Sequence, residues 1–246
     1  MLRAIRFAAR FGFDLDSELI RALETEKLRL KKVSQERVRE ELLALFSGGG
    51  LEFGFRLLRD FGIWPLILPE AQGLRSELFS EWERSKLPRS EELIFSLLFS
   101  AQAGERDEAV LQSICDRMKL SKTTAQIVKK VLVDLPRIQE VFRMRDAKLI
   151  RWVSEPHFRV LLDLHRIRVA AEGGDLMIAE FCDGLLRDLE NAPPVGPPLL
   201  TGEDLIELGF KPSRRFSEVL REVEDERMEG RISSKEQAIE YAISRF

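Results

Sequence analysis

Apolar residues recur three and four apart along almost the whole sequence, and no stretch of useful length alternates apolar with polar. Such a chain can bury its stripes only by packing helix on helix, so the fold expected is all-α. Local signals mark where helices begin and end. The first is read over 2–11 and closed by Gly12, and the second over 17–25 with Asp16 as its N-cap. The third spans 35–46, with Ser34 at the N-cap and Glu36 in the first turn, where the dipole favours a negative charge. Gly48, Gly49 and Gly50 end it, and a fourth helix over 51–60 runs into Gly62, Pro65 and Pro69. Further helices are read at 74–85, 90–101, 106–118, 121–134, 136–142, 145–153 and 156–188.

The run NAPPVGPP at 191–198 holds four prolines and cannot continue a helix, so it reads as a stiff linker. Beyond it come three short helices. Thr201 caps the first, with Asp204 three residues on, and Gly209 stops it; Pro212 opens the second, which reaches Met228; Ser233 and Glu236 have capping-box spacing for the last.

Charge and cysteine content narrow the classes of function. With 39 Lys+Arg against 42 Asp+Glu the net charge is −3, so any nucleic-acid surface must be a local patch. Two cysteines, Cys115 and Cys182, are too few for a disulfide framework or a Cys-based zinc site, and both read as small core residues. His157 and His165 lie two helical turns apart, too far for one metal, and read as hydrogen-bonded, partly buried side chains. No apolar run approaches the ~18 residues of a membrane span, and a cytoplasmic location is the default.

Three cationic groups stand out. Arg3, Arg6 and Arg10 form one stripe on the first helix, with no acidic residue among the first twelve positions; the stripe suits phosphate or an ordinary solvated face. Residues 119–151 carry nine Lys+Arg and three acids, with Lys119, Lys122, Lys129 and Lys130 grouped and Lys122 one above Lys129 on a helix face. Such a face can follow an RNA backbone by releasing counterions. Lys211, Arg214 and Arg215 form a small patch at a helix start, in a tail that is otherwise acidic, with eight basic and eleven acidic residues from 199 onward. Phe7, Phe11, Phe53, Phe55 and Phe61 could stack on bases, but at helical spacing they read as core.

The opening string Met1-Leu2-Arg3-Ala4-Ile5-Arg6-Phe7, followed by Gly12-Phe13, resembles the segment after the nucleotide-selecting Glu-Asp-x-x-Arg motif of class II tRNA nucleotidyltransferases and bacterial poly(A) polymerases. Val33-Ser34-Gln35-Glu36-Arg37-Val38 with Glu41-Leu42 is similar to a later neck motif of that family. Leu57-Leu58, Phe61-Gly62 and Leu68-Pro69-Glu70 continue the resemblance. So do Leu200 to Leu205, Leu208 to Pro212, and Glu229-Gly230-Arg231-Ile232 with Ala238. Pro212-Ser213 departs from the family's usual Pro-Gly turn.

The resemblance implies an elongated multi-helix array: neck helices over 1–70, a helical body over 71–190, the proline-rich linker at 191–198 and a small helical tail module over 199–246. It places Arg3, Arg6, Arg10, Glu36 and Arg37 beside a nucleotide pocket, and RNA along Lys119, Lys122, Lys129, Lys130, Lys211, Arg214 and Arg215. The family's phosphate loop and metal-binding Asp-x-Asp are missing. Asp14-x-Asp16 is a formal match only, because it lies in a helix–helix turn where capping is the expected role. The resemblance therefore implies an RNA-holding, tRNA-positioning portion of an enzyme that adds CCA or A to RNA 3′ ends, inactive alone. Its catalytic head is expected in cis or in trans, and Mg²⁺ with ATP or CTP only together with that head. The alternatives are the equivalent part of a poly(A) polymerase and a non-enzymatic all-α interaction module.

Overall fold

The computed structural model describes residues 1–101, 108–191 and 197–246, and every regular element among them is helical. The chain divides into two compact units, Met1–Gln139 with Pro156–Glu180, and Glu140–Glu155 with Phe181–Phe246. These units are drawn differently from the four segments read in the sequence, because residues 140–155 group with the tail.

The first unit begins with α1 (Leu2–Phe11), α2 (Ser17–Glu26), α3 (Gln35–Phe46), α4 (Leu51–Asp60) and the single turn α5 (Trp64–Ile67). Gly12 ends α1 in the left-handed conformation at φ 66°. The Asp16 carboxylate accepts the Leu19 N–H at 2.7 Å to start α2, so Asp16 is a cap, as its position implies. Helices α1, α3 and α4 meet through small residues. A Cβ on Gly50 would lie 2.0 Å from the Ala9 carbonyl oxygen, and one on Gly54 would lie 3.1 Å from the Ala9 Cβ. The glycine loop is clamped from both ends: Glu83 accepts the Gly50 N–H, and Arg89 donates to the Gly48 carbonyl at 2.6 Å.

Behind this contact lies an aromatic core. Phe79, on α6 (Ser76–Arg84), stacks on Phe55 at 4.3 Å and on Phe46 at 5.1 Å, and Trp64 meets both Phe46 and Phe55 edge-on. All four are buried, and the Trp64 indole N–H donates to the Ala71 carbonyl at 2.8 Å. Each ring so buried contributes about 1.5–3 kcal/mol. The next helix, α7 (Glu91–Phe99), is buried all round from Leu93 to Phe99 and packs against α9 (Lys122–Asp134) and α11 (Phe158–Ala171). Between α7 and α9 comes α8 (Glu108–Arg117). The second unit holds α10 (Asp146–Val153), α13 (Gly202–Glu207), α14 (Arg214–Met228) and α15 (Lys235–Ile243); α12 (Met177–Asn191) spans the division between units. Its tail has a core of its own in Leu200, Leu205, Phe216, Val219, Val223, Ile232, Ala238 and Ala242.

Several sequence expectations change. The single helix read over 156–188 is two, because Gly173 turns left-handed at φ 66°, Gly174 donates to the Val169 carbonyl, and Asp175 then accepts the Met177 N–H to start α12. Pro136–Arg143 is 3₁₀ rather than α. Ser34 sits at the start of α3 without making a cap bond, and the last capping serine is Ser234, whose hydroxyl accepts from Gln237, rather than Ser233. The Thr201–Asp204 capping box is present. Positions 106–107 of one expected helix and 192–196 of the linker lie outside the described residues.

Gly50→Ala forces a Cβ into the Ala9 carbonyl at a left-handed φ of 72°, so it should destabilise the protein by at least about 2 kcal/mol in urea denaturation, against a near-neutral Gly49→Ala, whose added Cβ meets nothing within 4 Å. In the tail, the Lys235 ammonium and the Thr201 hydroxyl and N–H hold the Asp204 carboxyl down at about 2, from an ordinary 3.8. A depressed carboxyl contributes stability that is complete above its unfolded pKa and lost as pH falls through the folded value. The tail helices should therefore lose far-ultraviolet ellipticity between pH 4 and 2, and Asp204→Asn should flatten that part of the titration.

Candidate nucleic-acid interface

On α1 the buried face is Leu2, Ile5, Ala8 and Ala9, so Arg3, Phe7, Arg10 and Phe11 are carried on the opposite side. Arg3 and Arg10 are exposed, whereas Arg6 is largely covered and its guanidinium donates to Glu41 at 2.8 Å. The arginine stripe therefore holds two cations without an ion pair among the described residues, and one ion pair that ties α1 to α3. Each guanidinium also lies near a ring: Arg3 and Arg6 sit 5.4 and 4.4 Å from the Phe7 centroid, and Arg10 sits 5.6 Å from that of Phe11. The reading of Phe11 as core is overturned, since it is 54% exposed; Phe13 is 60% exposed. Of the other phenylalanines in that reading, Phe55 is buried and Phe7, Phe53 and Phe61 are half-buried.

Glu36 and Arg37 are both exposed on α3. The N–H groups at the start of α3 hold the Glu36 carboxyl below its ordinary range, helped by the Ser34 hydroxyl and the charges of Lys119 and Arg39. Glu36 thus answers the basic turn between α8 and α9. Two arginines that the sequence reading passed over fix that turn to α3. Arg39 donates to the Lys119 carbonyl, and Arg117 pairs with Glu70 at 2.6 Å while reaching Gln35 and the Ile67 carbonyl at 3.3 Å. Lys119 itself is the one non-glycine described with a left-handed backbone, at φ 55°. Only spacing between distant parts of the chain, not a local motif, could have disclosed these contacts.

The basic stretch over 119–151 is not one face. It is divided between the two compact units, and much of its charge is answered. On α9, Lys122 is exposed and has no ion pair among the described residues, whereas Lys129 turns toward α8, bonding Gln112 at 2.7 Å and lying 3.7 Å from Glu108. Lys130 is exposed but also has a partner. Lys122 and Lys129 therefore do not share an outward face. In the second unit Arg145 pairs with Glu226 and Glu229 at 3.2 and 3.1 Å, and Arg151 pairs with Asp225. Exposed pairs of this kind add little stability, but they remove charge that a phosphate would need. Nearby, Arg231 holds the Glu226 carboxyl down at about 2.

At the tail patch, Lys211 and Arg214 are exposed without ion pairs among the described residues, and Arg215 donates to the Arg245 carbonyl. Both histidines are buried. His157 Nε2 lies 2.7 Å from Asp134 Oδ2, while His157 Nδ1 and His165 Nε2 have no hydrogen-bond partner among the described residues, so the expectation of full satisfaction holds only in part. Cys115 and Cys182 are buried, and burial pushes the Cys115 thiol up to about 11. No three His, Cys, Asp or Glu side chains among the described residues gather to hold a metal ion. No described helix is long and apolar enough to cross a membrane.

A family model described as a probable RNA- and SrmB-binding site of polymerase A matches residues 12–74. An A-adding tRNA nucleotidyltransferase of Halalkalibacterium halodurans is 27% identical over 98% of this chain and 55% of its own length. Among solved structures, the fold is similar to that of the Bacillus stearothermophilus CCA-adding enzyme in complex with CTP, with a TM-score of 0.74 at 18% identity, covering all of this chain and 62% of that one. It is also similar to the Thermotoga maritima CCA-adding enzyme complexed with tRNA, with a TM-score of 0.64 at 18% identity, covering 99% of this chain and 60% of that one. The chain thus spans little more than half the length of the relatives it matches. Along that span, the sequence is similar to tRNA nucleotidyltransferases that add A or CCA, and the helical fold is similar to that of solved CCA-adding enzymes.

Proposed function

We propose that this chain is the RNA-holding portion of a tRNA nucleotidyltransferase, binding tRNA so that its 3′ end is presented to a catalytic head supplied in cis or in trans. The similarity to an A-adding tRNA nucleotidyltransferase over nearly the whole chain carries the reading, and the RNA-binding family match over 12–74 supports it. What these residues can supply is position. Exposed cations on α1, at Lys119 and Lys122, and at Lys211 and Arg214 contact phosphates without reading bases. Helix packing then fixes where the bound strand ends, which turns a bimolecular encounter with a nucleotide into an oriented one. Bond making, with Mg²⁺ and ATP or CTP, belongs to the head in this proposal, as does the choice among CCA, A and poly(A) addition. The location proposed is the cytoplasm.

Full-length chain should bind tRNA with an affinity that falls steeply as salt rises. Lys122→Ala should lower the slope of log K against log salt by about one, and Lys129→Ala should leave it nearly unchanged because that lysine already serves Gln112 and Glu108. Salt-insensitive or absent tRNA binding would favour the reading as a non-enzymatic interaction module. In a second assay, pure chain incubated with tRNA, Mg²⁺ and radiolabelled ATP should incorporate no AMP; incorporation lost on substituting one of its own residues would place the chemistry in this chain.

A further inference from the structure

The outward side of α1 combines two features that rarely share a free surface. Three phenyl rings form a ladder, Phe7 to Phe11 at 6.0 Å and 19°, then Phe11 to Phe13 at 5.4 Å and 27°, carried past the Gly12 turn. Alongside them stand Arg3 and Arg10, exposed and without ion pairs among the described residues. The third arginine, Arg6, anchors the ladder from beneath, bonded to Glu41 and lying 4.4 Å from the Phe7 ring centre. More than half of the Phe11 and Phe13 surface meets solvent, although both are large apolar groups. Rings exposed in this way call for a planar, apolar face to cover them, and the guanidinium groups call for an anion every few ångströms. A strand of nucleotides offers both at once. A duplex offers only the phosphates, because its base faces are already stacked on one another. An acidic protein surface would satisfy the arginines but not the rings. Of these residues only Phe13 falls inside the stretch matched by the RNA-binding family.

We infer that the Arg3, Phe7, Arg10, Phe11 and Phe13 face of α1 binds single-stranded RNA, stacking unpaired bases on Phe11 and Phe13 while Arg3 and Arg10 hold the adjoining phosphates. The inference rests on the RNA-holding reading and adds the form of RNA recognised at this face: an unpaired segment, taken with little preference for sequence. The duplex part of a bound RNA is left to other exposed cations, such as Lys122 on α9. Because Phe11 and Phe13 are exposed, their truncation removes a binding surface without opening a core.

The test uses full-length chain and two fluorescent probes, an unstructured oligoribonucleotide of about eight residues, which lies within the site sizes of aromatic-lined grooves, and a blunt hairpin. Phe11→Ala/Phe13→Ala should weaken binding of the single strand by roughly tenfold or more while hairpin binding and the thermal melt stay as in the wild type. Phe11→Trp should retain single-strand binding. Arg10→Gln should lower the salt slope for the single strand by about 0.7. Unchanged single-strand affinity in the double variant, or equal loss for both probes, would overturn the inference. So would self-association of the wild type that the double variant abolishes, since a second copy would then be the occupant. A wild type that binds the hairpin but not the single strand removes this inference and leaves the RNA-holding reading standing; one that binds neither probe removes both.

Discussion

The contact on which the first unit depends is the approach of α4 to α1 at Gly50, where the Ala9 carbonyl occupies the space a Cβ would need. Only glycine permits it, both for room and for the left-handed backbone at that position. From this contact two consequences follow. The aromatic core of Phe46, Phe55, Trp64 and Phe79 closes behind α4, and α1 is pinned by its small-residue face, with Ala8 and Ala9 inward. Arg3, Arg10 and Phe11 are thereby turned outward. The clamp of Glu83 and Arg89 on the glycine loop fixes the entry to α4, giving the loop's amide and carbonyl partners that a bare turn would lack.

Charge is arranged by subtraction. The chain is nearly balanced, so its cationic surface consists of whatever the carboxylates leave unanswered. Glu41 takes Arg6, Glu70 takes Arg117, Glu108 takes part of Lys129, and Glu226 with Glu229 takes Arg145. Among the exposed cations without an ion pair among the described residues are Arg3 and Arg10 beside the exposed rings, Lys122 on α9, and Lys211 with Arg214 in the tail. Arg117 and Arg39 spend their hydrogen bonds on the protein itself, joining the start of α3 to the turn between α8 and α9. They position the neighbouring cations rather than meet a ligand.

The helices were largely legible in the sequence because helix limits are written locally. Gly12, Asp16, Thr201 with Asp204, and the glycine run at 48–50 act over four or five residues, and each ends or starts a helix where its chemistry requires. Even the missed break at Gly173 carried its signal in Gly173-Gly174-Asp175, which a continuous apolar pattern on either side obscured. The candidate site was legible only in part. Arg3, Arg10, Lys122 and Lys211 are exposed, but nothing in the neighbourhood of Lys129 shows that Gln112 will reach it, and nothing around Phe11 shows that its face of α1 will be left uncovered.

The sequence by itself determined that the regular elements among the described residues are helices, where most of them start, and which residue types could meet a phosphate, because periodicity and capping are short-range properties. Tertiary structure alone decided which arginines and lysines are free. An ion pair such as Arg6–Glu41 joins residues 35 positions apart, and its formation depends on how α1 lies against α3 rather than on either segment. The same holds for the rings. Helical spacing puts Phe7 and Phe11 on one side of α1, but whether that side is core or surface depends on the bulk the opposing helix leaves room for, and Ala9 with Gly50 gave the inner position to the other face.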